Sequence, residues 1–230
     1  MITSILKLIF TPAVAVMSRL RYWQKFALLT VLFTIPTGFA LYSFVSQIDA
    51  SIAFTEKEIS GSHYISPLLF LLQDVQQHRG MASLYLRGDT SFLPLLAEKE
   101  KEIAEDFAMI TAANKENAED QFLRQEFDTS NTLDSLKKKW TLLERSYRQL
   151  TPKESARQHT EFISDVLSFM YFISDQSNLS LDSSLDSFYL VNTLVNTIPQ
   201  ISENFGQARA FMLSVENPKK ISDAERRDII

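Results

Sequence analysis

LDSLKKKWTLLERSYRQL, residues 133–150, is the stretch whose reading decides the fold class. Leu133, Leu136, Trp140, Leu143, Tyr147 and Leu150 recur at steps of 3, 4, 3, 4 and 3, a heptad seam on one face of a helix. A following helix starts at Pro152, since proline is favoured at the first helical position. Its stripe is Ile163, Val166, Met170 and Ile173, widened by Phe162, Phe169 and Phe172. Upstream, a charged helix near 95–113 buries Leu96, Ile103, Phe107 and Ile110, and EKEKEIAED forms its solvated face. Ala113–Ser130 reads as a connection with at most one short helix. Residues 49–230 hold only four glycines and five prolines and no long period-2 alternation. The expected fold class is all-α.

Two helices are longer. One runs from Asp49 to about Arg87, ahead of Gly88-Asp89; the other runs from about Leu185 to Val215, ahead of Asn217-Pro218. At about 1.5 Å per residue, about 30 residues reach roughly 45 Å. Such helices joined by short loops predict an up-and-down antiparallel helical bundle.

The first long helix leads back to FALLTVLFTIPTGFALYSFVSQI, 23 uncharged residues between Lys25 and Asp49. That length crosses a hydrocarbon core of about 30 Å as a helix. Pro36 and Gly38 are tolerated in such a span. It exceeds the h-region of a cleaved signal, about 7–15 residues, so an uncleaved anchor is expected. Lys7, Arg19, Arg21 and Lys25 precede it without an acidic residue. The other 19 basic residues and all 28 acidic ones follow, a net charge of −9. The cationic flank stays in the cytoplasm. The expected organisation is a cytoplasmic or interfacial leader (1–24), one transmembrane helix (25–48) and an extracytoplasmic bundle (49–230). In a bacterium with two membranes this places the chain in the inner membrane, with 49–230 in the periplasm.

The seams of the long helices carry polar residues. On the first, Ile65, Leu68, Leu72, Val75, Arg79, Ala82 and Leu86 align. On the second, Phe188, Val191, Val195, Ile198, Ser202, Phe205, Arg209 and Met212 align. A guanidinium facing a core needs a carboxylate, a water pocket or an anionic ligand, and its planar fork suits paired oxygens. Arg79 and Arg209, with Gln76 and His78 beside the former, are therefore the candidate ligand-binding residues. Each also has an ordinary reading: structural pairing for the arginines, a polar surface position for His78. Arg209 has no partner at spacings of 3 or 4 on its own helix, and Glu203 falls on a different face. Pro199 can kink the helix, move the seam to Ile201, Phe205, Ala208 and Met212, and swing Arg209 outward.

The run KEISGSHYISPLLFLLQDVQQHRGMASLYLRGD (57–89) resembles the start of the extracytoplasmic region of bacterial transmembrane sensors, notably methyl-accepting chemotaxis proteins; related sensors carry GGDEF or histidine-kinase outputs. RLRYWQKFALLTVLFTIPTGFALYSFVSQI (19–48) and SSLDSFYLVNTLVNTIPQISENFGQARAFML (183–213) are similar to the corresponding segments. The HRG and GQAR elements resemble the arginine motifs of nitrate- and nitrite-sensing (NIT-type) helical domains, although the second has GQARA in place of an Arg-Gly pair. The resemblance implies a homodimeric input module for a small, possible anionic ligand. It also implies further helix, a second span, a HAMP linker and an output domain after the equivalent of Ile230.

Other classes have less support. With no cysteine and three histidines, the chain shows no nucleophile–base constellation, metal-ligand spacing or phosphate loop. No enzyme activity, cofactor or metal is expected. The net −9 of residues 49–230 disfavours nucleic acid. A membrane-tethered scaffold that binds another envelope protein is the alternative to a sensor.

Overall fold

The computed structural model describes residue 11 and residues 14–119, 129–181 and 185–214. The leader residues 1–10, the segment 120–128 between Glu119 and Thr129, and the terminal ISDAERRDII lie outside the described residues. All described elements are helical, so the protein is all-α. The long helices are α1 (Tyr22–Leu86), α2 (Leu93–Glu119), α3 (Ser130–Ser146) and α4 (Pro152–Gln176). The last stretch consists of α5 (Leu185–Val191), a π-helical turn (Asn192–Thr197) and α6 (Ile198–Ser214). The chain divides into two compact units, residues 1–53 and 54–230.

In the first unit, α1 is long and apolar enough to cross a membrane. Its apolar side chains from Tyr22 to Ile48 are left in the open, with Phe26 71% and Phe39 72% exposed. A helix apolar on all sides has no polar face to offer water.

In the second unit, α1 is half-buried, and Ile65, Leu68, Leu72, Val75, Arg79 and Ala82 form its inner face. The apolar ones among them join Leu96, Ile103, Phe107 and Ile110 of α2 in one cluster. Leu133, Leu136, Trp140 and Leu143 of α3 belong to it, as do Phe162, Ile163, Val166, Phe169, Met170 and Ile173 of α4. Phe172, placed on the stripe of α4, is 40% exposed.

Local chemistry sets the ends. Gly88 closes α1 at φ +105°, in the left-handed region where a side chain is strained. Asp89 then accepts from the Ser91 backbone N–H at 3.1 Å, opening the turn into α2. Thr151 caps α4 by accepting from Glu154 N–H at 3.2 Å, with Pro152 next in line. Asn178 ends that helix at φ +61°. Asn114 and Asn117, read as part of a connection, instead sit inside α2, which runs on to Glu119. Asn114 is tied inward: Tyr64 Oη donates to its Oδ1 at 2.5 Å and lies 2.9 Å from Thr129 Oγ1, joining α1, α2 and the start of α3.

The π-turn changes the register of the last helix. Phe188, Val191 and Val195 face inward as their seam requires. Beyond the turn, the inward residues are Pro199, Glu203, Gly206 and half-buried Ala210, not Ile198, Ser202, Phe205 and Arg209. Each is one residue late, which is what one π-turn inserts. Pro199 explains it: proline has no N–H for the carbonyl four residues back, and its ring crowds that carbonyl. The Ile198 N–H reaches instead to the Thr193 carbonyl, five residues back. The kinked seam through Ile201 and Phe205 does not form either, since these are 47% and 68% exposed.

Candidate functional site

Arg79 and Gln76 come together around a residue absent from both seams. Glu203 is 2% exposed and Arg79 3% exposed. Arg79 Nη1 donates to Glu203 Oε1 at 2.5 Å and Nη2 to Oε2 at 3.1 Å, a two-pronged ion pair between α1 and α6. Arg79 Nη1 also donates to Thr160 Oγ1 of α4 at 2.8 Å. The carboxylate accepts further from Gln76 Nε2 at 3.0 Å and from Gln207 Nε2 at 3.0 Å. Ser202 Oγ donates to Gln76 Oε1 at 3.0 Å. Gly206 makes room for the guanidinium: a Cβ there would stand 2.3 Å from Arg79 Nη2.

Arg209 does not join this cluster. It is exposed, because the π-turn carries it off the inward face. Glu203 and Gly206 replace Ser202 and Phe205 at the core. The readable signal for this shift is Pro199, whose effect on the ladder is a whole extra residue rather than a kink.

His78 is fully buried, contrary to a surface position. Its Nδ1 lies 2.8 Å from His159 Nε2. His159 Nδ1 lies 2.7 Å from the Ser155 carbonyl oxygen, which only a protonated Nδ1 can satisfy. Nε2 of His159 is then the acceptor and His78 Nδ1 the donor. His78 Nε2 is left without a hydrogen bond, 3.7 Å from Glu100 Oε1. The edges of Trp140 and Tyr147 box the ring, with centroids at 5.2 and 4.8 Å. Burial, then the adjacent His78, pushes His159 down to about 3. Burial alone would raise Glu100, but the Tyr147 hydroxyl and the Arg148 guanidinium hold the carboxyl below its usual range. The Tyr147 hydroxyl, donating to Glu100 at 2.9 Å, is pushed up to about 12, chiefly by burial.

A third polar group lies between α1 and α2. Lys99 Nζ donates to Asp74 Oδ1 at 3.0 Å and pairs with Glu102. Asp106 beside them is 4% exposed, its Oδ2 has no hydrogen bond, and burial followed by the Asp74 charge pushes it up to about 7. Among the described residues, no group of three or more His, Asp or Glu side chains is arranged to hold a metal ion.

Arg79, Gln76 and His78 thus share one stretch of α1 but serve two neighbouring clusters, one ionic and one aromatic. His159, Glu203, Thr160 and Gly206 complete them from elements far along the chain. Comparison with protein-family models, curated proteins and solved structures found no match for this chain.

Proposed function

We propose that the chain is the input part of a transmembrane signal-transduction receptor, of the chemotaxis type, that senses a small extracytoplasmic anion. In this reading 25–48 span the bacterial inner membrane, the N-terminus is cytoplasmic, and 54–214 belong to a periplasmic antiparallel bundle that works as a homodimer. A sensor region feeding a diguanylate cyclase or a histidine kinase is the same reading with another output. The observation that carries it is the Arg79–Glu203 pair. Arg79 sits on the helix that also holds the membrane-span candidate, and what it grips is a carboxylate on a different helix. An anion that takes the place of that carboxylate releases α6 from α1. Helix shifts of about 1–2 Å suffice for signalling where packing has two states.

The test uses the full chain in detergent, with thermal unfolding followed in nitrate, formate and inorganic phosphate. One of these is expected to change the midpoint saturably in the wild type, and more strongly in Glu203→Ala, where the internal carboxylate is gone. Arg79→Ala abolishes the response. Inert midpoints in both wild type and Glu203→Ala sink the anion reading.

A membrane-tethered interaction module is the second reading. It is favoured by the row Leu190, Leu194, Ile198, Ile201, Phe205 and Met212, all 46–68% exposed along α5, the π-turn and α6. In this reading the full chain captures another envelope protein and shows no small-molecule response, and Phe205→Glu is expected to abolish the capture; undiminished capture removes the row from the interface.

A further inference from the structure

A cavity of about 380 Å³ opens beside the π-turn, away from Arg79. Its walls are Tyr171, Phe172, Ser174 and Asp175 of α4, Ser180 of the turn after it, and Asn196 of the π-turn. Two buried polar atoms belong to this wall and have no hydrogen bond: Ser174 Oγ and Asn196 Oδ1. Ser174 is 2% exposed. A serine inside a helix ordinarily returns its proton to a carbonyl one turn back, and this one does not. Asn196 Nδ2 donates one of its two protons to Asn192 Oδ1 at 2.9 Å. Ser180 Oγ donates its proton to the Ser174 carbonyl at 3.4 Å. Unmade bonds of this kind cost stability when buried and call for a partner.

We propose that this cavity binds a small organic ammonium ion, an aromatic or aliphatic amine in its protonated form. The lining offers more acceptors than free protons: Asn196 Oδ1, the Ser180 and Ser174 hydroxyl oxygens and the Asp175 carboxylate can accept, against the Ser174 proton and one Asn196 N–H. An ammonium offers three donors and no acceptor. Tyr171 and Phe172, 41% and 40% exposed, supply ring faces on which a cation or an apolar tail rests. Among the described residues no Lys or Arg lines the cavity, and the net −9 of residues 49–230 draws cations rather than anions. The volume lies within the range of ordinary small-ligand pockets, roughly 300–1,000 Å³. The π-turn, whose extra residue brings Asn196 to the wall, is a device found frequently at functional sites. The site uses none of the residues of the anion reading.

The experiment follows thermal unfolding of the full chain in detergent while benzylammonium is titrated, with benzyl alcohol as the uncharged comparison. Benzylammonium is expected to raise the midpoint saturably and benzyl alcohol to fall well short of it. Asp175→Asn weakens the ammonium response about tenfold or more, the loss of a charge-assisted bond. Ser174→Ala keeps or raises the midpoint without ligand, because it deletes an unpaired hydroxyl, yet blunts the response. Arg79→Ala leaves the ammonium response in place while removing any anion response, so the two sites fail separately. The proposal is overturned if benzylammonium gives no saturable shift. It is equally overturned if the shift persists unchanged in both Asp175→Asn and Ser174→Ala, which would leave only solvent in the cavity.

Discussion

At the scale of single residues, the Arg79–Glu203 pair has the largest stake. Breaking a buried ion pair by removing one partner strands the other charge. Glu203→Ala is expected to cost about 3–5 kcal/mol in urea unfolding, whereas Arg79→Met with Glu203→Leu costs far less than either single change. Equal losses in single and double variants would show that the charges are not uncompensated when alone. The two perturbed groups pull the pH profile in opposite directions. His159 holds its folded value near 3, below the ordinary 6.5, so its contribution is present above 6.5 and is lost as pH falls toward 3. Asp106 holds its proton up to about 7, above the ordinary 3.8, so its contribution is present below 3.8 and is lost as pH rises toward 7. Asp106→Asn is therefore expected to raise the urea midpoint at pH 8 and leave it nearly unchanged at pH 4. His159→Gln should flatten the acid side. Parallel wild-type and variant profiles would contradict both assignments.

At the scale of elements, two glycines report how closely helices approach. A Cβ on Gly61 would lie 2.3 Å from Ser177 Cβ, an atom fixed near the backbone at the end of α4. Gly61→Ala is expected to cost about 1–3 kcal/mol, the range of overpacking. A Cβ on Gly206 meets the far end of Arg79, which can move, so Gly206→Ala acts through the ion pair. In a double-mutant cycle its cost should largely vanish in the Arg79→Ala background; an undiminished cost would mean that backbone crowding decides there. The π-turn is the other element-scale feature. Pro199→Ala restores the N–H that the ladder lacks, so the helix closes without the π-turn and returns Ile198, Ser202, Phe205 and Arg209 to the inward face. Since the protein has no cysteine, a Phe205→Cys reporter reads this directly: maleimide labelling is expected to be fast in the parent and slow in the Pro199→Ala background. Equal rates would show that the turn does not set the register.

At the scale of the whole molecule, the apolar stretch of α1 dominates. A helix with Phe26, Phe33 and Phe39 all exposed is expected to need detergent or lipid for solubility. Replacing Leu32 and Phe33 by arginine, each costing about 2.5–3.5 kcal/mol at a bilayer centre, should shift the chain from the membrane pellet to the supernatant. Retention in the pellet after carbonate washing would mean that other surfaces hold it.

What the sequence determined by itself was whatever repeats locally. The seam Leu133–Leu150 and the stripes of α1, α2 and α4 are legible because a helix buries every third or fourth residue wherever it packs. The uncharged run 26–48 is legible because length and charge are one-dimensional properties. That Arg79 needs a carboxylate, a water pocket or an anionic ligand was equally plain from a charge on an apolar seam. The tertiary structure alone decided which carboxylate answers it, because Arg79 and Glu203 are 124 positions apart and meet only when α1 and α6 pack. It also decided that Arg209 turns outward and that His78 turns in against His159. The first follows from the ladder fault at Pro199, which shifts every later residue by one position, and the second from a neighbouring helix that offers an imidazole where periodicity alone shows only a polar side chain.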